Sequence, residues 1–541
     1  MCISFERQKL AGYIKGNKFT LIVFVLLFVS SLIFRLSIKE ADLKSLSFAL
    51  LNAIIIFLAF RLFAKTFLRI PAILVLSALI AIDAGLFYAY KNPMNFGVIA
   101  SIFETDIAEA YSMSKLVLLP GLLALGLSFF LLYKSSLEIR KKKTVNPVTS
   151  MAIILIGTFL LPVYLDMKAF DESPKMTMEA IKTSAPLVFA GTIPVKYPFI
   201  LGDIFITAAY LDEMARFREN SNKIKTLPEG ITYNSTDTVP GKIIVIIGES
   251  SLRSHYSLYG YNAGTTPFLD SISTHTHLLN YYDNVISPAS YTRDALRICM
   301  SFATPLDKDA FFDKKDVLNM ASDAGYRTSW ISNQTKFGLN DTHIGMIAAN
   351  ADTSIYLEDI RREDLKLIPL LKEEIKPGTK QFIVLHLNGS HMAYKDQYDE
   401  EDTKALGSTG PTIDYDKTIH HTDRVLKGVF GLIENLDENV LIYYTSDHGE
   451  IVNEGHAKLN GWKCQFEVPL IIMQNKPVKD TDSIISKYYS DNLLNTSTTP
   501  YILGEFMGYQ VNNNLIEKVK EENKYIYQVD GSVITFDKIK D

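Results

Sequence analysis

The sequence predicts a chain in two parts: an N-terminal bundle of five membrane-crossing helices, then an α/β domain whose mostly parallel sheet carries helices on both faces. Three observations lead there. Of the 541 residues 48% are hydrophobic, a high share for a soluble protein, and they concentrate in the first third. Apolar runs in that third approach the ~20 residues needed to cross a bilayer. Beyond residue 240, short aliphatic runs (KIIVIIG, RTSWIS, QFIVLHL, NVLIYYTS, VPLIIM) alternate with helical patterns, the arrangement of a covered parallel sheet.

The expected spans are residues 19–38, 46–63, 70–90, 116–133 and 151–165, the last near the short limit. The first is too long for the apolar core of a signal peptide and no small-x-small cleavage site follows, so it is read as retained. Arg7, Lys9, Lys15 and Lys18 precede it. Arg61, Lys65 and Arg69 lie between the second and third spans, and Arg140 to Lys143 between the fourth and fifth. The other loops are mixed or acidic, with Glu40, Asp42, Glu104, Asp106 and Glu109. Positive charge stays inside, so the N-terminus is expected in the cytoplasm and everything after Asp166 outside. Asp83, ionisable within the third span, is either functional or turned to a neighbouring helix or wet cavity.

Residues 1–166 are thus read as the transmembrane domain and 167–240 as a linker. In the linker MTMEAIKTSAPLVF and FILGDIFITAAYLDEMARF have helical spacing, suited equally to the membrane surface or to packing on the outer domain. Residues 241–541 are read as the outer domain, the polar stretch after Met507 serving to finish it. In TKALGSTGPTIDYDKTIHHTDRVLKGVFGLIENL, the second half repeats apolar residues at helical spacing. A net charge of −5 without a basic block argues against nucleic acid. Three cysteines, Cys2, Cys299 and Cys464, make no disulfide framework, although the last two would be free to pair outside the cytoplasm.

Chemistry is expected where strands end, because open α/β sheets bind ligands at their carboxyl edge. The first run stops at Gly248 and delivers Glu249. QFIVLHLNGSH delivers His391, while His386 inside the run reads as a packed core residue. NVLIYYTSDHGE delivers Asp447 and His448, with Glu450 next and His456 further on. Carboxylates and imidazoles on one edge suit a divalent metal such as Zn²⁺. His255, His275, His277, His343, His420 and His421 read as surface or helix residues outside the site. A nucleophile is offered by NVISPASYTRDAL, where Thr292 opens a helix after Ser287 and Ser290; the residues alone do not choose between Thr292 and Ser290.

Together, GESSLRSHYSLYGYNAGTTPFLD, NVISPASYT, HLNGSH and TSDHGE with a following GH resemble the phosphoethanolamine transferases of Gram-negative inner membranes. The resemblance covers nearly the whole chain. It implies a five-helix transmembrane domain and a periplasmic α/β catalytic domain of alkaline-phosphatase/sulfatase type. It implies one tightly bound zinc at Glu249, Thr292, Asp447 and His448, with room for a second, and Thr292 as nucleophile. His391 and His456 match histidines that bind a second zinc or the phosphate and carry protons, and Asn333 and Lys336 match substrate-contacting positions. The implied donor is phosphatidylethanolamine, releasing diacylglycerol, and the implied acceptor is lipopolysaccharide core, lipid A or a periplasmic glycan. The lipid A-modifying members carry cysteines bracketing the nucleophile; here Pro288 and Ser290 precede Thr292 and Cys299 follows, which leaves the acceptor open. The alternatives are a glycerophosphate transferase, phosphodiesterase or sulfatase on the same fold, and a membrane-anchored binding protein with no catalysis.

Overall fold

The computed structural model describes residues 16–38, 41–90, 93–94, 98–99, 107–142, 146–160, 196–220, 223–234, 238–274, 278–334, 343–357, 363–458, 462–529 and 531–541. The chain divides into two compact units, Met1–Glu213 and Met214–Asp541.

In the first unit, α1 (Lys18–Leu36), α2 (Leu43–Phe63), α3 (Arg69–Tyr90) and α4 (Ile107–Arg140) form the apolar bundle. These are the four helices among the described residues that are long and apolar enough to cross a membrane, α4 through its Leu118–Arg140 portion. The expected fifth span begins as α5 (Pro147–Leu155), continuing as the π-helical turn Ile156–Leu160, and its remainder lies outside the described residues. Phe34, Ala53, Phe60, Ile73 and Leu132 pack inward. Leucines such as Leu74, Leu119 and Leu123 face outward, as lipid permits. Asp83 is buried, and its carboxylate accepts a 3.0 Å hydrogen bond from Ile200 N, just before α6 (Leu201–Asn220). It therefore faces a neighbouring element of the same unit. Of the two linker patterns, the second is α6 and the first lies outside the described residues.

The second unit is built on a seven-stranded sheet: β1 (Lys242–Gly248), β2 (Leu279–Tyr282), β3 (Arg327–Ser332), β4 (Thr353–Tyr356), β5 (Gln381–His386), β6 (Val440–Ser446) and β7 (Leu470–Gln474). Their order across the sheet is β2-β7-β6-β1-β5-β3-β4. β6, β1, β5, β3 and β4 run parallel, and β7 pairs antiparallel with both β6 and β2. β1, β5 and β6 are buried at every position, which is why each reads as an unbroken aliphatic run rather than an alternating one.

The register of these three central strands makes the site. Ile247 lies beside His386, and Gly248 beside Ser446, so three chains leave the sheet together at one edge. Two helices serve that edge: α7 (Thr292–Cys299), and α8 (Ile413–Ile433), the helix expected in the TKALG…ENL stretch. Tyr415, Ile419, Leu426 and Val429 of α8 share a core with Ile244 and Ile246 of β1 and Ile383 and Leu385 of β5. The C-terminal stretch completes the domain: Tyr509–Val511 pairs with Ile231–Tyr233, and Tyr527 N donates to Pro288 O at 2.7 Å, bracing the loop before α7. Cys299 and Cys464 are free thiols.

Candidate active site

Glu249, Asp447 and His448 stand one or two residues beyond a strand, and Thr292 opens a helix. Glu249 follows Gly248 of β1 and is 1% exposed. The chain turns sharply at Ser250, in the left-handed region at φ 54°. The turn is held by Ser250 N donating to Asp447 Oδ1 at 3.0 Å and by Ser251 N donating to Ser446 Oγ at 3.0 Å. Beneath it, Ser251 Oγ meets Tyr256 Oη at 2.6 Å, and Tyr415 Oη donates to Ser250 O at 2.7 Å.

Asp447 and His448 follow β6 and are equally buried. Asp447 Oδ1 is satisfied by the backbone N–H of Ser250 and, at 2.7 Å, of His448. Asp447 Oδ2 has no hydrogen-bond donor and lies 3.3 Å from His448 Nε2. Gly449 lets the chain pass where a side chain would not fit: a Cβ there would stand 2.0 Å from Cys464 O and 2.7 Å from Glu467 O.

Thr292 is the first residue of α7, with Tyr291 before it in extended conformation. Its Oγ1 donates to Glu249 Oε2 at 3.0 Å and lies 3.4 Å from His448 Nε2. Thr292 Oγ1 thereby meets the cluster, while Ser290, the other hydroxyl the sequence leaves open, is buried two residues earlier with its carbonyl accepting from Ala457 N at 3.2 Å. Ser287 Oγ instead donates to Ala289 O at 2.8 Å and to Asp447 O.

Glu249, Asp447 and His448 each offer a ligand atom to one point, and a cation fits between them. His448 Nδ1 donates to Gly449 O at 2.8 Å, so its Nε2 faces Glu249 Oε1 at 3.4 Å as well as Asp447 Oδ2. Two buried carboxylates side by side call for positive charge between them, and an imidazole anchored through its other nitrogen to a backbone carbonyl is the arrangement that metals bind. The carboxylates divide accordingly. Burial raises Glu249, but His448, His391 and His456, together with the Ser250 hydroxyl, hold it below the ordinary carboxylate range. Burial, then the charge of Glu249, pushes Asp447 well up.

A second set, His448, Glu450 and His456, lies alongside. The His448 and His456 rings are 4.3 Å apart, and those of His391 and His456 6.4 Å. His456 Nδ1 donates to Glu450 Oε2 at 2.8 Å, and Tyr394 Oη donates to Glu450 Oε1 at 2.9 Å. His391 Nδ1 donates to Met392 O at 2.6 Å. Glu450 and Tyr394 carry no role in the sequence reading. Glu450 stands in the SDHGE run, but nothing in the residues says that it orients His456.

Asn333 is not brought to the cluster with the others: buried at the end of β3, its amide donates to Asp364 Oδ1 at 2.6 Å. The neighbouring Gln334 reaches Glu249 instead, donating to Oε2 at 3.1 Å. Lys336 lies outside the described residues, as do His275 and His277. His386 is a core histidine as expected, packed on Trp330, and burial pushes it down to about 4. Three of the histidines read as surface or helix residues are helical rather than at the surface. His343, His420 and His421 stand in helices but are buried. His420 and His421 share Asp402, at 2.6 and 2.8 Å. Asp399, Asp402 and His421 also converge, but Arg424 already bridges the two carboxylates at 2.8 and 2.9 Å and supplies the positive charge.

The chain matches the Sulfatase family over residues 242–499, the stretch holding every strand of the central sheet. It is 26% identical over 419 residues to the phosphoethanolamine transferase EptC of Escherichia coli O18:K1:H7, covering 71% of this chain and 70% of that one. The fold is similar to that of the integral membrane lipooligosaccharide phosphoethanolamine transferase EptA from Neisseria meningitidis, with a TM-score of 0.59 at 15% identity over 93% of this chain and 99% of that one. The C-terminal periplasmic domain of Escherichia coli EptC, solved in complex with Zn, superposes with a TM-score of 0.51 at 22% identity, covering 58% of this chain and 97% of that domain. The chain thus carries a Sulfatase-family domain over residues 242–499 and is similar along most of its length to phosphoethanolamine transferases.

Proposed function

We propose that the chain transfers phosphoethanolamine from phosphatidylethanolamine to a cell-envelope acceptor, lipopolysaccharide or a periplasmic glycan, through a covalent intermediate on Thr292. The observation that carries this is the placement of Thr292 Oγ1 at 3.0 Å from Glu249 and 3.4 Å from His448, at the edge of a buried cluster of carboxylates and imidazole that could hold a metal ion. Glu249, Asp447, His448 and the Thr292 oxygen would hold a zinc ion, which oxygen and imidazole donors suit. When bound, zinc favours the ionised form of a coordinated hydroxyl and neutralises charge on phosphoryl oxygens.

The chain's own groups do the rest. Thr292 Oγ1 forms a bond to phosphorus while the bond from phosphorus to the diacylglycerol oxygen breaks; its proton passes toward the Glu249 carboxylate that already accepts it. The departing oxygen takes a proton from a histidine, His456 or His391. Glu450 holds His456 Nδ1, so the proton in transit resides on Nε2. In the second half, an acceptor hydroxyl or protonated phosphate oxygen bonds to phosphorus and its proton returns to that histidine, while the bond from phosphorus to Thr292 Oγ1 breaks and Thr292 Oγ1 regains its proton from Glu249. Lys336 is read as a substrate contact, as the family resemblance implies. The orientation expected from the basic loops, N-terminus in the cytoplasm and catalytic unit in the periplasm, suits this reaction.

The test uses full-length protein and headgroup-labelled phosphatidylethanolamine. A peptide containing Thr292 should gain the mass of phosphoethanolamine, and Thr292→Ala should lower diacylglycerol release by about 10³-fold or more. Labelled phosphatidylglycerol, run in parallel, should leave no adduct. Transfer that survives Thr292→Ala would sink the reading.

A further inference from the structure

One buried carboxylate behind the site gathers three separate stretches of chain. Asp364, 4% exposed, accepts from Asn333 Nδ2 at 2.6 Å and from Asn388 N at 2.9 Å through Oδ1, and from Gly389 N at 2.8 Å through Oδ2. Asn333 arrives from the end of β3, its own N–H donating to His386 O at 2.9 Å. Asn388 and Gly389 belong to the loop that leaves β5 and carries His391. That loop lies against the residue after β1: Leu387 N donates to Ile247 O, and Ser390 N to Glu249 O, both at 2.9 Å. Gly389, at φ 54°, presses so close that a Cβ would meet Glu249 N and O at 2.7 Å. From the other side, Thr418 of α8 donates to Ser390 Oγ at 2.7 Å.

We infer that Asp364, with Asn333 as its donor, is a positioning residue: it holds the 387–391 loop against the Glu249 backbone, and so sets both the Glu249 carboxylate beside Thr292 and the place of His391. This rests on the reaction proposed above. Asp364 touches neither the cluster nor a substrate; it acts on Glu249 through Gly389 and Ser390. Asn333 acts through Asp364 rather than by contacting the headgroup. An amide at 364 would keep the shape but replace one acceptor with a donor, which then faces a backbone N–H.

The experiment compares full-length wild type, Asp364→Asn, Asn333→Ala and the double variant. Zinc affinity is read by competition with a chromophoric chelator, and diacylglycerol release from phosphatidylethanolamine gives kcat and KM. Asp364→Asn should weaken zinc binding or lower kcat by about 10- to 100-fold, the range for residues that orient metal ligands. Donor KM should stay within about threefold, since uniform substrate binding is untouched. Asn333→Ala should move the same quantities by less, and the double variant should be no worse than Asp364→Asn. The inference is overturned if Asn333→Ala raises KM at unchanged kcat, or if Asp364→Asn alters neither zinc affinity nor kcat. Should Asp364→Asn fail to fold, Asn333→Ala decides alone. Should wild-type turnover prove independent of Thr292, the proposed reaction fails and zinc affinity still decides for Asp364.

Discussion

Asp447 carries opposing demands. Its Oδ1 is satisfied by two backbone N–H groups, whereas its Oδ2 is buried against Glu249 and His448 with no donor. Without a cation, that second oxygen adds like-charge repulsion to the cost of an unmet buried acceptor, about 1–3 kcal/mol and more where the group is charged. Asp447→Asn keeps Oδ1 and turns the second oxygen into an amide that donates toward Glu249. The metal-free protein is therefore expected to become more stable by about 1–3 kcal/mol, while zinc affinity collapses. Unfolding midpoints of wild type and variant in chelator, and again with zinc, check this; an Asn variant less stable than wild type in chelator would refute it. The ligands were legible because each stands directly after a strand, where the local pattern changes from aliphatic to polar. Glu450, Tyr394 and Asp364 were not, since their roles come from partners 6, 56 and 24–31 positions away in the chain. The burial of the α8 histidines is hidden in the same way, since their shared partner Asp402 lies 18 and 19 positions earlier in the chain.

At the scale of elements, α8 fastens the site to the sheet. Tyr415 holds the Ser250 turn, Thr418 holds Ser390, and Asp423 accepts from Phe268 N and Leu269 N at 2.9 and 3.1 Å. His421 anchors its middle, with Nδ1 on Asp402 and Nε2 on Glu363 at 3.1 Å. Burial alone would lower His421, but its bonds to Asp402 and Glu363 and the charges of Asp402 and Asp364 lift it to about 9. The folded value lies above the unfolded one near 6.5, so the stabilisation is complete below about pH 6.5 and disappears as pH rises through about 9. A shift of that size corresponds to about 3 kcal/mol, an upper figure for a group this coupled. Between pH 6.5 and 9.5 wild type should lose about that much more stability than His421→Gln, measured by denaturant unfolding; parallel pH profiles would rule it out. Among the strands, the five aliphatic runs of the sequence are β1, β3, β5, β6 and β7. β2 and β4 were missed because they are four-residue strands at the sheet edges with partly exposed patterns. The reversal of β7 was also hidden, since an apolar run carries no direction.

At the scale of the whole molecule, the first unit gathers its positive charge. Its basic segments are far apart in the chain but lie at one end of the bundle. Glu138, near the end of α4, accepts from Phe19 N at 3.2 Å and Thr20 N at 2.8 Å at the start of α1. Lys65, between α2 and α3, donates to Lys142 O after α4, and Arg69 lies 5.4 Å from the Tyr133 ring centroid. Lys18, Arg61, Lys65, Arg69, Arg140, Lys141 and Lys142 thus gather where short loops meet, and membranes retain such clusters on the cytoplasmic side. Four crossings by the helices among the described residues would return the chain to that side after α4, so the proposed periplasmic placement of the catalytic unit requires a further crossing. Single cysteines at Lys142 and at the exposed Asp491, on a background lacking Cys2 and Cys464, separate the outcomes. In cells with a permeabilised outer membrane, a membrane-impermeant maleimide should label Asp491→Cys at once and Lys142→Cys only after lysis. Labelling of both from outside would contradict the orientation. Labelling of Lys142→Cys alone would put the catalytic unit on the cytoplasmic side and remove its access to a periplasmic acceptor.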